Sequence, residues 1–298
     1  MSFNESVQSD SGRVRSGGGG RMAGGLGGGS ILVAIAVFLI SQYTGVDLTQ
    51  FVGPSTSAPQ TSAAPSADLS HCTTGAAANQ HTECRMVVTA ESLDEVWKAQ
   101  LPGQGSVDYS PAQFVIFTDG VNTACGSATS ASGPFYCPAD STVYMDLGFF
   151  EQMESQFGAQ NAPLAQEYVV AHEWGHHIQN LEGTFQAHNA HEAGPDGDGV
   201  RTELQADCYA GVWMHWASTT VDPESGVPFL IKPTQDQIAD ALATAEAIGD
   251  DRIQERYQGT SNPETWTHGS AEQRQRWLMV GLEQGSLSAC NTFDAPSL

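Results

Sequence analysis

The stretch AHEWGHHIQ, residues 171–179, gathers three of the chain's nine histidines together with a glutamate. His172, Glu173 and His176 read H-E-x-x-H. Successive residues of an α-helix turn by about 100°, so His172 and His176 project from one face about 40° apart, one turn from each other. Two imidazoles so placed can hold one metal ion. Glu173 falls about 60° from His176 on the same side, where it can reach a water on that ion without ligating it. Two ligands and a base around one point are the apparatus of metal-assisted hydrolysis. The competing reading is a solvated helix surface that happens to be rich in histidine.

A catalytic zinc takes three protein ligands and leaves one position open. The candidates for the third ligand are Glu182, His188, His191 and Glu203. The longer metzincin pattern requires glycine at 179 and a ligand at 182. Position 179 is Gln and position 182 is Glu, so the helix continues and that pattern is rejected. Glu203 fits better. TELQAD places Glu203 and Asp207 one turn apart on one face of a second helix. The first carboxylate can complete a site of two histidines and a glutamate. The second can accept the N–H on the far side of a ligand imidazole, fixing its tautomer and raising its basicity. Alone, E-x-x-x-D is weak in so acidic a chain; on the helix after H-E-x-x-H it gains weight.

AHEWGHHIQ followed by ELQADCYAGVW resembles the bacterial "putative neutral zinc metallopeptidase" family, with IGDDRIQ and THGSAEQRQRW as further matching blocks. The resemblance spans residues 70–298 and is loosest over 183–200. It implies a zincin-like fold and a zinc-dependent peptidase acting on a peptide or protein substrate. His172, His176 and Glu203 would hold a single zinc ion, Glu173 would be the base, and Asp207 would orient His172. Negative charge developing on the scissile carbonyl needs a further donor. His268 in WTHGSAEQR is the candidate, ahead of Tyr209 and Tyr144. Zincins add an extended substrate to an edge strand above the active-site helix, and STVYMDL is the natural choice for that strand.

The elements that must position these residues are legible in outline. A helix is expected over 89–100, ended by Pro102 and Gly103, and strands at QFVIFTD, PFYCP and STVYMDL. GFFEQMESQFG, 148–158, has helical spacing and a closing glycine. Asn161 and Pro163 start a helix that runs through the H-E-x-x-H to Leu181, with Gly183 after it. A loop over 183–200 leads to a helix over 202–218. Thr234 with Gln237 and Ser270 with Gln273 form capping boxes for two more helices. A few strands followed mostly by helices give an α+β class with a small sheet.

The remaining residues receive plainer readings. His177 lies about 100° from His176 and cannot share its ion; it reads as a surface residue or as support behind the ligands. His188 and His191 fall in the loop and read as solvated. GPDGDG, 194–199, lacks the twelve-residue calcium pattern. Gly175 can let a neighbouring backbone approach, and Trp174 reads as core.

With 34 acidic against 11 basic residues the net charge is −23, which excludes nucleic acid as a partner. Residues 22–46 are apolar enough to cross a bilayer around ILVAIAVFLI. Arg13, Arg15 and Arg21 precede that stretch, and no basic residue follows it before Arg85. The expectation is a cytoplasmic tail over 1–21, a transmembrane anchor over 22–46, a Pro/Ser/Ala-rich linker over 47–68 and an extracytoplasmic domain over 69–298. Six cysteines on the outer side favour disulfides, and sequence proximity pairs Cys72 with Cys84, Cys125 with Cys137, and Cys208 with Cys290. Two alternatives stand beside the peptidase: an anchored zincin-fold module that binds metal without catalysis, and an amidase acting on cell-wall peptide.

Overall fold

A computed structural model describes residues 2–17 and 67–298, apart from residues 106 and 160. The proposed anchor and nearly all of the linker lie outside the described residues. Among those described, no helix is long and apolar enough to cross a membrane.

The fold is α+β. Strand β1 (Arg15–Gly17) precedes α1 (Gly75–Gln80) and α2 (Thr82–Gln104), which lead to β2 (Gln113–Phe117). A hairpin, β3 (Gly120–Thr123) and β4 (Gly126–Thr129), is followed by β5 (Phe135–Cys137) and β6 (Thr142–Asp146). The rest is helical: α3 (Pro163–Glu182), α4 (Asp198–Ala217), α5 (Gln235–Ala247), α6 (Asp250–Gln258) and α7 (Ala271–Gln284). Four strands form one sheet in the order β1-β2-β6-β5, parallel except for the β5–β6 pair.

Two placements differ from the sequence reading. STVYMDL forms β6, which lies between β2 and β5 and is buried along its whole length, so it is not an edge. The edge on that side is β5. Period-two alternation distinguishes the faces of a strand but carries no information about which neighbours pair with it. Second, residues 2–17 belong to the folded unit, which the sequence started near Leu69. Phe3, Val7 and Val14 are buried. The N–H groups of Ser2 and Phe3 donate to Asn79 Oδ1, and β1 pairs with β2. Arg13 Nε donates to Asp94 at 2.5 Å and its terminal nitrogen to the Ala112 carbonyl at 2.7 Å. Three apolar residues spread over twelve positions show no period, so their contribution to the core was invisible before the fold was known.

The helix expected to begin at Thr89 begins seven residues earlier, just after the N-cap His81, next to a disulfide that ties Cys84 to Cys72. All three disulfides have the expected pairing. The segment from Phe149 completes one α-turn and widens into a π-helix over Met153–Phe157, closed by Gly158. Helix α3 starts with proline in its first turn and ends at Gly183, whose φ of 83° is readily adopted only without a Cβ. Both capping boxes form at the starts of α5 and α7. Helix α6 and the β3–β4 hairpin were not anticipated.

Candidate metal centre

Helix α3 is buried along most of its length and lies against both the sheet and α4. Gly175 sets the second contact. A Cβ there would stand 2.9 Å from both the Cα and the carbonyl oxygen of Ala206, so only glycine lets the two backbones approach this closely. That approach carries Glu203, three residues before Ala206, to the imidazoles. Glu203 Oε2 is 3.1 Å from His172 Nε2 and 3.6 Å from His176 Nε2. The two rings meet edge to face, with centroids 4.9 Å apart at 86°. One donor atom from each of the three residues lies within 4.8 Å of the other two.

The far side of each imidazole is held. His172 Nδ1 donates to Asp207 Oδ1 at 2.8 Å. Asp207 is fully buried and also accepts from Tyr168 Oη at 2.6 Å and from Arg274, whose Nε bonds Oδ2 at 2.8 Å and whose terminal nitrogen bonds Oδ1 at 2.9 Å. His176 Nδ1 donates to Gln179 Oε1 at 2.8 Å, and Gln179 Nε2 is anchored on the Thr202 carbonyl and on Gln205. With both Nδ1 atoms occupied as donors, both Nε2 atoms point at Glu203, and the Nε2–H of His172 donates to its Oε2 where a bound metal would take the proton's place. The donor set, two neutral-capable imidazoles and a carboxylate with supported outer atoms, fits zinc.

The electrostatics agree. Burial pulls the His172 pKa down, but the Asp207 charge and hydrogen bonds to Asp207 and Glu203 outweigh it and lift it to about 10. Burial would raise the Glu203 carboxyl, yet His176 and His268 hold it well below the usual range. Burial likewise opposes ionisation of Asp207, and Arg274 and His172 overcome it, keeping that carboxyl very acidic. A cluster this rich in negative charge around two imidazoles attracts a cation, and a bound metal would displace protons from the rings.

Glu173 is buried to 9% exposure, and its carboxylate makes no hydrogen bond or ion pair with any described residue. His268 stands at the rim, with Nε2 4.0 Å from Glu203 Oε2 and Nδ1 3.6 Å from Asp250 Oδ1. Asp250 fixes the loop that carries it. Its Oδ2 accepts the backbone N–H of Thr267 and His268 at 2.6 Å each and that of Gly269 at 3.1 Å.

The other candidates stand elsewhere. Glu182 accepts a 2.5 Å hydrogen bond from Tyr209, which engages both residues away from the cluster. Tyr144 bonds Asp140 and stacks on Phe135. His188 stacks on Phe293 beside Asp198, and His191 belongs to no group of potential ligands among the described residues. His177 is buried rather than a surface residue: Nδ1 meets Tyr136 Oη at 3.0 Å and Nε2 the Ser110 carbonyl at 2.7 Å, tying α3 to β5. Arg274, Tyr168, Gln179 and Asp250 were missed by the sequence reading. Tyr168 had a usable signal, since it precedes His172 by four and shares its helix face. Asp250 and Arg274 sit inside the two quoted blocks IGDDRIQ and THGSAEQRQRW, but nothing in the spacing assigned them a partner.

The profile of the family described as "Putative neutral zinc metallopeptidase" matches residues 3–293. An uncharacterized protein of Mycobacterium tuberculosis is 52% identical over 235 residues, covering 79% of this chain and 78% of that protein. A counterpart in Mycobacterium bovis matches equally well. An uncharacterized protein of Escherichia coli is 37% identical over 296 residues, 97% of this chain and 94% of that one. No solved structure matches the chain.

Proposed function

The chain belongs to the neutral zinc metallopeptidase family, and from that premise we propose that it is a membrane-attached hydrolase of peptide bonds. His172, His176 and Glu203 would hold one zinc ion, leaving a position open. Bound there, zinc supplies a Lewis acid for the scissile carbonyl and lowers the pKa of a water toward ~7. Glu173 accepts the proton of the attacking water and returns it to the leaving amine. His268, kept in place by Asp250, donates to the carbonyl oxygen as charge develops on it. Asp207 and Gln179 hold the ligand imidazoles in one tautomer and orientation. An extended substrate adds to β5, the edge strand beside α3 among the described residues, in place of the buried β6.

One observation carries this reading. Three ligand atoms converge between α3 and α4 while the neighbouring Glu173 carboxylate makes no hydrogen bond or ion pair with the described residues. A binding module has no use for a base there. The test is metal analysis of the purified chain coupled to a peptide-library digest. Glu173→Gln retains zinc and loses hydrolysis by roughly 10²–10⁴-fold. Unchanged turnover would remove Glu173 as the base, and cleavage restricted to cell-wall peptides would favour the amidase.

The three disulfides support an oxidising, extracytoplasmic location for the domain. Because residues 2–17 pack on that domain, the proposal places them on the same side as it, in place of the cytoplasmic tail expected from the arginines. A single crossing by residues 22–46 would put the two on opposite sides, so the attachment proposed through that segment enters and leaves the membrane on one side.

A further inference from the structure

A second group of two histidines and a glutamate lies on the surface, at the corner where α1 meets α2. His71, His81 and Glu83 each place one donor atom within 4.8 Å of the other two. Its geometry repeats that of the buried centre. The His71 and His81 rings meet edge to face with centroids 5.1 Å apart at 87°, against 4.9 Å and 86° for His172 and His176. His71 Nε2 is 3.2 Å from Glu83 Oε1, against 3.1 Å for His172 Nε2 and Glu203 Oε2. Ligand atoms on a tetrahedral zinc, with bonds near 2.1 Å, stand about 3.4 Å apart.

The cluster is also built on a rigid frame. Cys72 follows His71, Cys84 follows Glu83, and those two cysteines form a disulfide. The cross-link therefore fixes the backbone at two of the three ligand positions. His81, the N-cap of α2, is held in extended conformation and makes no side-chain capping bond, and its ring turns to His71 instead. The side chains of His71 and Glu83 are 43% and 28% exposed, which leaves the cluster open to solvent and ion entry.

The geometry points to a second transition-metal site at His71, His81 and Glu83, selective for zinc or another divalent ion that favours imidazole, and separate from the hydrolytic centre. Two nitrogens and one carboxylate oxygen suit Zn(II), Ni(II) and Cu(II) over the hard cations Mg(II) and Ca(II). The strongly acidic chain raises the local concentration of any dication near this face. The cysteines, being oxidised, are not ligands. Without outer-shell anchors such as Asp207, the site binds more weakly and exchanges faster than the buried one.

The test is equilibrium dialysis of the purified full chain against micromolar zinc, read as metal per chain. About two ions are expected. The double variant His71→Ala/His81→Ala should bind about one and keep its hydrolytic activity, while Glu203→Ala should also bind about one and lose it. Non-reducing mass measurement verifies that the Cys72–Cys84 bond survives in the double variant. If that bond is lost, Glu83→Gln replaces the double variant, keeping shape while removing the anionic ligand. Saturation of the wild-type chain at one ion that survives loss of the surface ligands, or two ions still bound after that loss, overturns this site. Absence of zinc that depends on Glu203, with surface binding intact, would instead overturn the hydrolytic reading.

Discussion

Replacing Asp207 by asparagine changes almost no volume but inverts one hydrogen-bonding atom at the most enclosed point of the site. Asp207 accepts four hydrogen bonds, three on Oδ1 and one on Oδ2. Asparagine offers one acceptor and one donor group. With its oxygen kept where Tyr168, His172 and the terminal nitrogen of Arg274 converge, its NH2 must face the Nε–H of Arg274, donor against donor. Arg274 is 3% exposed and loses its counter-charge. An uncompensated buried charge costs about 3–5 kcal/mol, so denaturant unfolding should report a loss of that size. His172 also loses a charged acceptor behind its Nδ1, which should weaken zinc binding by roughly 10–100-fold in chelator competition. The double variant Asp207→Asn/Arg274→Met removes the stranded cation. It should recover part of the stability and none of the zinc affinity, which separates the structural role from the metal-supporting one. Stability within about 1 kcal/mol of wild type together with unchanged zinc affinity in Asp207→Asn would refute the reasoning. If the single variant does not fold, the double variant carries the zinc measurement.

Other expectations follow from the same geometry. Glu203→Ala should release zinc far more readily than His188→Ala, as read by metal retention through dialysis, because His188 is occupied with Phe293 and Asp198; the reverse order would move the third ligand into the loop. Glu167 is fully buried beside Arg85, and burial pushes its carboxyl from 4.5 up to about 8. The folded state thus keeps a proton that the unfolded chain gives up, and stability falls as pH rises from about 4.5 to about 8. Glu91, also lifted to about 8 by burial, adds to the slope, so Glu167→Gln should shallow the pH dependence of unfolding without abolishing it; an unchanged slope would show that Glu167 ionises freely. Single cysteines introduced at the exposed positions Ser6 and Glu224 should react alike with a membrane-impermeant maleimide in intact cells. Labelling of one with protection of the other would separate the N-terminal segment from the domain.

What the sequence determined was local. His172, Glu173 and His176 share a face because helical geometry leaves no other arrangement once Pro163 and Gly183 bound the helix. The same logic placed Glu203 and Asp207 one turn apart and made both capping boxes readable. Cysteine proximity gave the disulfide pairs. Tertiary structure decided everything that depends on which surfaces meet. It put β6 inside the sheet and β5 at its edge, because strand periodicity records faces and not neighbours. It brought residues 2–17 onto a domain that begins fifty residues later, because a few scattered apolar side chains have no period to detect. It delivered Arg274 to Asp207 across 67 positions of chain and Asp250 to the loop of His268. A charged residue in sequence carries no sign of its partner, and only the packing of α4 against α7, and of α6 against the loop before α7, makes those partners specific.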